Sequence, residues 1–142
     1  MSYSLSFSKS ILVVIFISDK VRQGQYEYLS TASISKVLNI PKPTLVKILQ
    51  SLTIAGIIQT KEGKHGGIRL MKSPEDITVL DIFEAMEKGK PLFQTSFDIL
   101  AKGQRPDNAQ QVILGLFEQS EKEMKKTLAQ KTIAQILDEM SY

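Results

Sequence analysis

The chain has 142 residues, 18 Lys/Arg against 15 Asp/Glu, a formal charge of +3 and 42% hydrophobic content. That length suits one domain, or one small domain plus an oligomerisation element, and the composition is that of a folded globular protein. Zero cysteines exclude disulfides, thiolate zinc sites, cysteine-ligated clusters and a cysteine nucleophile, and a single histidine, His65, argues against catalytic triads and histidine-rich metal sites.

Residues 5–22 read as a first helix, apolar nearly all round from Leu5 and Phe7 through Ile11–Ile17, as suits a core helix. The β-branched content also permits a strand. The apolar run is seven residues long, against the roughly 20 a membrane-spanning helix needs. Asp19 and Lys20 follow it at once with no small-residue cleavage site, so it is not read as a signal peptide. A soluble cytoplasmic protein is the expectation. Gly24 breaks the pattern, and Tyr26 to Leu29 form an extended lead-in.

Ser30 is placed to cap a second helix, Thr31 to Leu38, whose apolar side is Ala32, Ile34, Val37 and Leu38. Asn39 tolerates the left-handed conformation that ends helices. The chain restarts at Ile40-Pro41-Lys42-Pro43, and proline is tolerated in a helix's first turn. A third helix runs to about Ala55, with Leu45, Ile48, Leu49 and Leu52 on one face and Gly56 just beyond. Two short helices joined by about four residues match a helix-turn-helix, and an ordinary helical hairpin fits the same segment.

Residues 57–61 read as a strand, 62–67 as a glycine-rich basic turn and 68–71 as a returning strand. A hairpin placed directly after a helix-turn-helix is a wing; a plain mobile loop is the bland alternative. Its glycines match no phosphate-cradling spacing and follow no strand-to-helix turn. Thr78-Val79-Leu80-Asp81 looks like a capping box, with Ile77 and Ile82 spaced as a hydrophobic staple, opening a fourth helix to Lys88 with Ile82, Phe83 and Met86 inward. Residues 89–107 are mixed, with one helical turn expected at Phe97–Leu100. Asp107 is expected to cap a long helix from Asn108 to about Gln130. Its sparse stripe of Val112, Leu116, Phe117, Met124 and Leu128 is too thin to stand alone and calls for a partner. Thr132 caps a last short helix. Glu118 and Glu121 with Lys122 and Lys125 read as a solvated face, and no constellation of residues suggests an enzyme.

Charge is unevenly divided. Residues 1–72 hold ten Lys/Arg and three acids, a surplus of seven; residues 73–142 hold eight and twelve, a deficit of four. A basic half suits a polyanion such as double-stranded DNA, although two solvated faces of unequal sign would also give it.

The order of elements resembles the Rrf-two family of bacterial winged-helix transcriptional regulators. The likeness is carried by Leu49-Gln50-Ser51-Leu52, Ala55-Gly56-Ile57-Ile58, Gly63-Lys64-His65-Gly66-Gly67-Ile68-Arg69-Leu70, and Pro74-Glu75-Asp76-Ile77-Thr78-Val79-Leu80-Asp81-Ile82. It runs in order over residues 5–140 and is strongest at 30–89. The resemblance implies a mainly α fold with a small β-hairpin: a winged helix-turn-helix over 1–89, then an effector loop and dimerisation helix over 90–142. It also implies a homodimer joined through the long helix. Two departures stand out. The cysteines by which cluster-binding members hold their cofactor are missing around 89–107, so no cofactor is expected. Thr44 and Glu62 stand where the family often has tyrosine and arginine.

Lys42, Pro43, Thr44, Val46 and Lys47 open the third helix, where a recognition helix meets base edges. Lys47 suits guanine or a phosphate, Thr44 a base edge or backbone, and Val46 a thymine methyl. Ser30, Ser33 and Lys36, with Ser8 and Lys9, are candidate phosphate clamps. Lys61, Lys64, His65, Gly66, Gly67 and Arg69 are the wing's candidates for the minor groove or its phosphates. The expected activity is a sequence-specific, homodimeric DNA-binding regulator, a repressor, answering an unidentified small-molecule or protein effector. A winged-helix protein-interaction module is the alternative, and a steep salt dependence of duplex binding separates the two.

Overall fold

A computed structural model describes residues 5–24 and 28–140; Tyr26 and the start of the expected lead-in lie outside them. Among the described residues, six helices and one hairpin follow in the order α1 (Ser6–Arg22), α2 (Thr31–Leu38), α3 (Lys42–Ile54), β1 (Ile58–Lys61), β2 (Gly67–Leu70), a short 3-10 turn (Pro74–Asp76), α4 (Val79–Glu87), α5 (Gln104–Ala129) and α6 (Ile133–Glu139). The fold is mainly α with a small β-hairpin.

Helix α1 is the central core element. Val13, Val14 and Ile17 are fully buried, and the chain is helical despite its β-branched content. Two serines are buried with them. The Ser10 and Ser18 hydroxyls donate back to the carbonyls of Phe7 and Val14, at 2.6 Å each, so neither polar group is left unmet. Around α1 pack Ile34 of α2, Leu45, Ile48, Leu49 and Leu52 of α3, Ile58 and Ile68 of the hairpin, and Ile82 of α4.

Helix ends follow from their residues. The Ser30 hydroxyl accepts from the Ser33 amide at 3.0 Å. Asn39 is left-handed (φ 52°), and Gly56 follows α3 at φ +76°. Thr78 and Asp81 form the capping box reciprocally, and Thr132 and Gln135 form a second one at α6. Ile77 and Ile82, the staple pair, are both fully buried.

The hairpin pairs Ile58 with Leu70, Gln59 with Arg69, Thr60 with Ile68 and Lys61 with Gly67. Leu29 adds a third line of backbone pairing. Its amide donates to the Ile68 carbonyl at 2.8 Å, and the Ile68 amide donates back at 2.7 Å. Side chains alternate across such a sheet. Ile58, Ile68 and Leu29 therefore face the core, while Tyr28, Gln59, Lys61 and Arg69 share the outer face.

Several expectations are corrected. Helix α5 begins at Gln104 behind Gly103, not at Asn108 behind Asp107. Pro106 falls in its first turn, where a missing amide removes no intrahelical bond, and the Asp107 amide already donates to the Gly103 carbonyl at 3.2 Å. No helical turn forms at Phe97–Leu100. On α2 only Ile34 is buried and Leu38 partly so; Ala32 and Val37 are exposed, because eight residues present a narrow inward stripe. Helix α4 ends at Glu87, whose side chain is fully buried with the Lys90 ammonium 3.4 Å away, an arrangement the apolar pattern does not foretell.

The C-terminal segment returns to the winged helix. Thr78 and Thr132 form an antiparallel bridge, and Ile133 and Leu137 join the core cluster. The Arg22 guanidinium donates to Asp138 at 3.0 Å, an exposed pair worth little in water. The charged run on α5 is more than a solvated face. Glu121 accepts from the Leu92 amide at 2.9 Å, and Lys125 reaches Glu84 of α4 at 3.5 Å, so α5 is tied to the preceding loop and to α4.

Candidate DNA interface

Helix α3 has two sides. Leu45, Ile48, Leu49 and Leu52 face inward, leaving Lys42, Pro43, Val46, Lys47, Gln50 and Thr53 in solvent, with Thr44 half-buried. The 3–4 spacing of the buried leucines and isoleucine dictates this division. Lys42 and Lys47 project from the first half of the helix. Gln50 lies one turn beyond Val46 and Lys47 and was missed by the sequence reading, which stopped at Lys47. Its i+3 and i+4 spacing from those two residues was the available signal. A primary amide there can donate to and accept from one adenine edge.

Between α3 and the wing runs a groove of about 670 Å³, lined by Thr31, Val46, Gln50 and Thr53 on one side and Thr60 and Glu62 on the other. Val46 is thereby brought next to the wing. The ammonium-bearing residues of the hairpin, Lys61 and Lys64, are exposed, as is His65 at the tip.

Gly66 and Gly67 are required by the fold itself. A Cβ on Gly66 would lie 1.9 Å from the Lys61 carbonyl oxygen, so only glycine closes this turn. A Cβ on Gly67, whose φ is +143°, would lie 2.6 Å from the Leu29 carbonyl oxygen and 3.2 Å from Tyr28 Cβ. Arg69 is half-buried. Its Nε donates to Gln59 at 3.0 Å, and its guanidinium carbon lies 5.0 Å from the Tyr28 ring centre. The Lys61 ammonium lies 5.4 Å from the same ring.

On α2, Ser30, Ser33 and Lys36 are all exposed; Ser30 and Ser33 stand at the helix start, where the Ser30 hydroxyl accepts from the Ser33 amide, and Lys36 lies in the last turn. The first turn of α1 offers less. The Ser8 hydroxyl donates to the Leu5 carbonyl at 3.0 Å, and Lys9 is half-buried.

The stripe on α5 divides. Val112 and Leu116 are 71% and 62% exposed, whereas Met124 and Leu128 are half-buried. Phe117 stacks on Phe93 of the preceding loop, ring centres 4.4 Å apart. Next to that stack a groove of about 480 Å³ is lined by residues 91–95 and by Leu114, Phe117, Glu118 and Glu121.

A helix pair whose second helix keeps one face in solvent, a three-line wing and a long C-terminal helix with an exposed apolar edge are the parts of a winged-helix transcriptional regulator. The chain belongs to the Rrf2 family, whose model, described as iron-dependent transcriptional regulator, matches residues 4–139. It is similar to YffB of Lactococcus lactis subsp. lactis, a provisionally assigned HTH-type transcriptional regulator, at 27% identity over 100% of this chain and 90% of that one. It is also 32% identical to the HTH-type transcriptional regulator NsrR of Bacillus licheniformis over 55% of this chain and 52% of the relative. Among solved structures, IscR of T. potens superposes with a TM-score of 0.73 at 21% identity, covering 99% of this chain and 89% of that one. These are regulators and not enzymes. The iron of the family's description does not fit the residues here. The chain has no cysteine, its one histidine sits at the exposed wing tip, and among the described residues no group of three His, Asp or Glu could hold a metal ion. No helix of the described residues is long and apolar enough to cross a membrane.

Proposed function

We infer that the chain is a homodimeric, sequence-specific DNA-binding repressor acting in the cytoplasm. The observation that carries the reading is the two-sided α3. Its inward face is locked into the core, while Lys42, Pro43, Thr44, Val46, Lys47 and Gln50 form an accessible edge beside the wing. A helix held this rigidly can present base-reading groups in the major groove at low entropic cost. Ser30, Ser33 and Lys36 hold backbone phosphates on one flank; Lys61, Lys64, His65 and Arg69 do so on the other. Ser8 and Lys9 add at most a peripheral contact.

The partner subunit covers α5, where Val112 and Leu116 are left in solvent. Residues 1–89 read DNA, and residues 90–142 couple the dimer to a signal. That signal, a small molecule or a partner protein, enters at the groove beside Phe93 and Phe117. Occluding a promoter requires only binding, so repression is the simplest output of this architecture.

The test is titration of the purified protein against a duplex from its own upstream region and against a random duplex, at several salt concentrations, together with sedimentation. The reading expects a dimer, tighter binding to the first duplex, and log K falling steeply with log[salt]. A monomer with a flat salt slope would favour a protein-interaction module.

A further inference from the structure

The outer face of the wing sheet carries an arrangement that base reading does not require. Leu29 pairs with Ile68, which fixes the preceding residue, Tyr28, on the outer face. There the register sets Lys61 opposite Gly67 and Gln59 opposite Arg69. Gly67 leaves the space that Tyr28 occupies, since a Cβ at that position would press on Tyr28 Cβ. Among the described residues, Lys61 and Arg69 are charged groups set against the tyrosine ring, at 5.4 Å and 5.0 Å from its centre. Gln59 sets the plane of the guanidinium by accepting from Nε.

We propose that Tyr28 is a positioning residue that gathers Lys61 and Arg69 into one phosphodiester-binding site on the wing's outer face. This rests on the DNA-binding reading above. Cations over an aromatic face are attracted by its quadrupole. Both cations lie within 5.4 Å of the ring centre and on the same outer face of the wing sheet, so one ring holds both charges at one place on the wing. A planar guanidinium and a point-charge ammonium are complementary donors for a phosphate. The site lies two residues before Ser30, the cap of α2, so it extends the phosphate-binding edge of α2 toward the wing. It also assigns the pair of glycines a role: Gly66 closes the turn, and Gly67 makes room for the ring.

The experiment titrates wild type, Tyr28→Phe, Tyr28→Met and Lys61→Gln/Arg69→Gln against the upstream and random duplexes at two or more salt concentrations. Circular dichroism melts are run beside each. Tyr28→Phe keeps the ring and should bind within about twofold of wild type. Tyr28→Met keeps bulk but loses the ring face; it should bind both duplexes several-fold more weakly at low salt while melting like wild type. Lys61→Gln/Arg69→Gln leaves the ring in place and should lower the salt slope by up to about two. Equal binding by Tyr28→Met and wild type overturns the proposal. So does equal loss in Tyr28→Phe and Tyr28→Met, which would point to the hydroxyl. Should Tyr28→Met not fold, the slope of the double variant decides alone, and an unchanged slope overturns the site. If wild type binds neither duplex, it is the DNA-binding reading that fails.

Discussion

Thr78 and Thr132 face each other across an antiparallel bridge, and each is the N-cap of a helix. Each hydroxyl accepts from the amide three residues on, at 3.1 Å. The bridge is closed by the Val79 amide on the Lys131 carbonyl and the Ile133 amide on the Ile77 carbonyl. Two helix starts separated by 54 positions are thereby made one structural unit, which seats α6 on the winged helix and fixes where the end of α5 must lie.

Losing either cap should destabilise the protein by about 1 kcal/mol, the usual cost of Thr→Ala at this position. Because the two share a backbone bridge, their effects should not add. Thr78→Ala loosens the bridge, so part of the Thr132 contribution is already gone. The double variant should fall short of the summed losses by about 0.5 kcal/mol or more in urea unfolding. Additivity within about 0.3 kcal/mol would show the two caps to be independent.

Gly67→Ala should cost about 1–3 kcal/mol, since it combines a strained φ with a clash against the Leu29 carbonyl oxygen. Gly63 has φ +104° but open space around its missing Cβ, so Gly63→Ala should cost less. Urea unfolding of both variants checks the order. A Gly67→Ala protein as stable as wild type would mean that the Leu29 pairing is dispensable.

The dimer prediction follows from how the α5 stripe divides. Phe117 is engaged by Phe93 within the chain, whereas Val112 and Leu116 have no such cover. Val112→Asp with Leu116→Asp should therefore weaken self-association by more than about tenfold, since charges on a buried apolar seam cost more than they gain. The fold should survive, because neither residue belongs to the core cluster. Sedimentation at micromolar concentration is the check, and a variant as dimeric as wild type would put the interface elsewhere.

What the sequence revealed, and what it did not, follows from how local each cause is. Ser30, Asn39, Gly56 and the Thr78–Asp81 box act within four residues, so the ends of α2, α3 and α4 were legible. The start of α5 was not, because Pro106 looked like a break when it was a first-turn residue. The Leu29 bridge was invisible for another reason. One residue pairing with a strand 39 positions away leaves no periodicity, so Tyr28 and Leu29 read only as an extended lead-in with no partner. Buried Glu87 breaks the apolar pattern altogether. At the interface, the inward leucines give away the outward edge of α3, and Gln50, one turn past Val46 and Lys47, lies on that same edge by its spacing. Gly66 and Gly67 were legible as a turn, while the carbonyls that exclude a side chain there belong to Lys61 and Leu29.

Lys47 and Lys64 provide the sharpest separation of roles. Both are exposed and neither packs in the core, so Lys47→Ala and Lys64→Ala should melt near wild type. Lys47 lies on the outward edge of α3, where identity of the base matters. Its loss should weaken binding to the upstream duplex by about 1–3 kcal/mol and relax the preference at one base position. Lys64 lies in the exposed turn of the wing, where charge matters more than base. Its loss should weaken upstream and random duplexes by similar factors and lower the salt slope by about one. Titration of both variants on both duplexes at two salt concentrations measures all of this. Equal loss on every sequence for Lys47→Ala would make α3 a phosphate clamp and move the reading edge elsewhere. Unchanged binding in both variants would remove this face from the DNA interface.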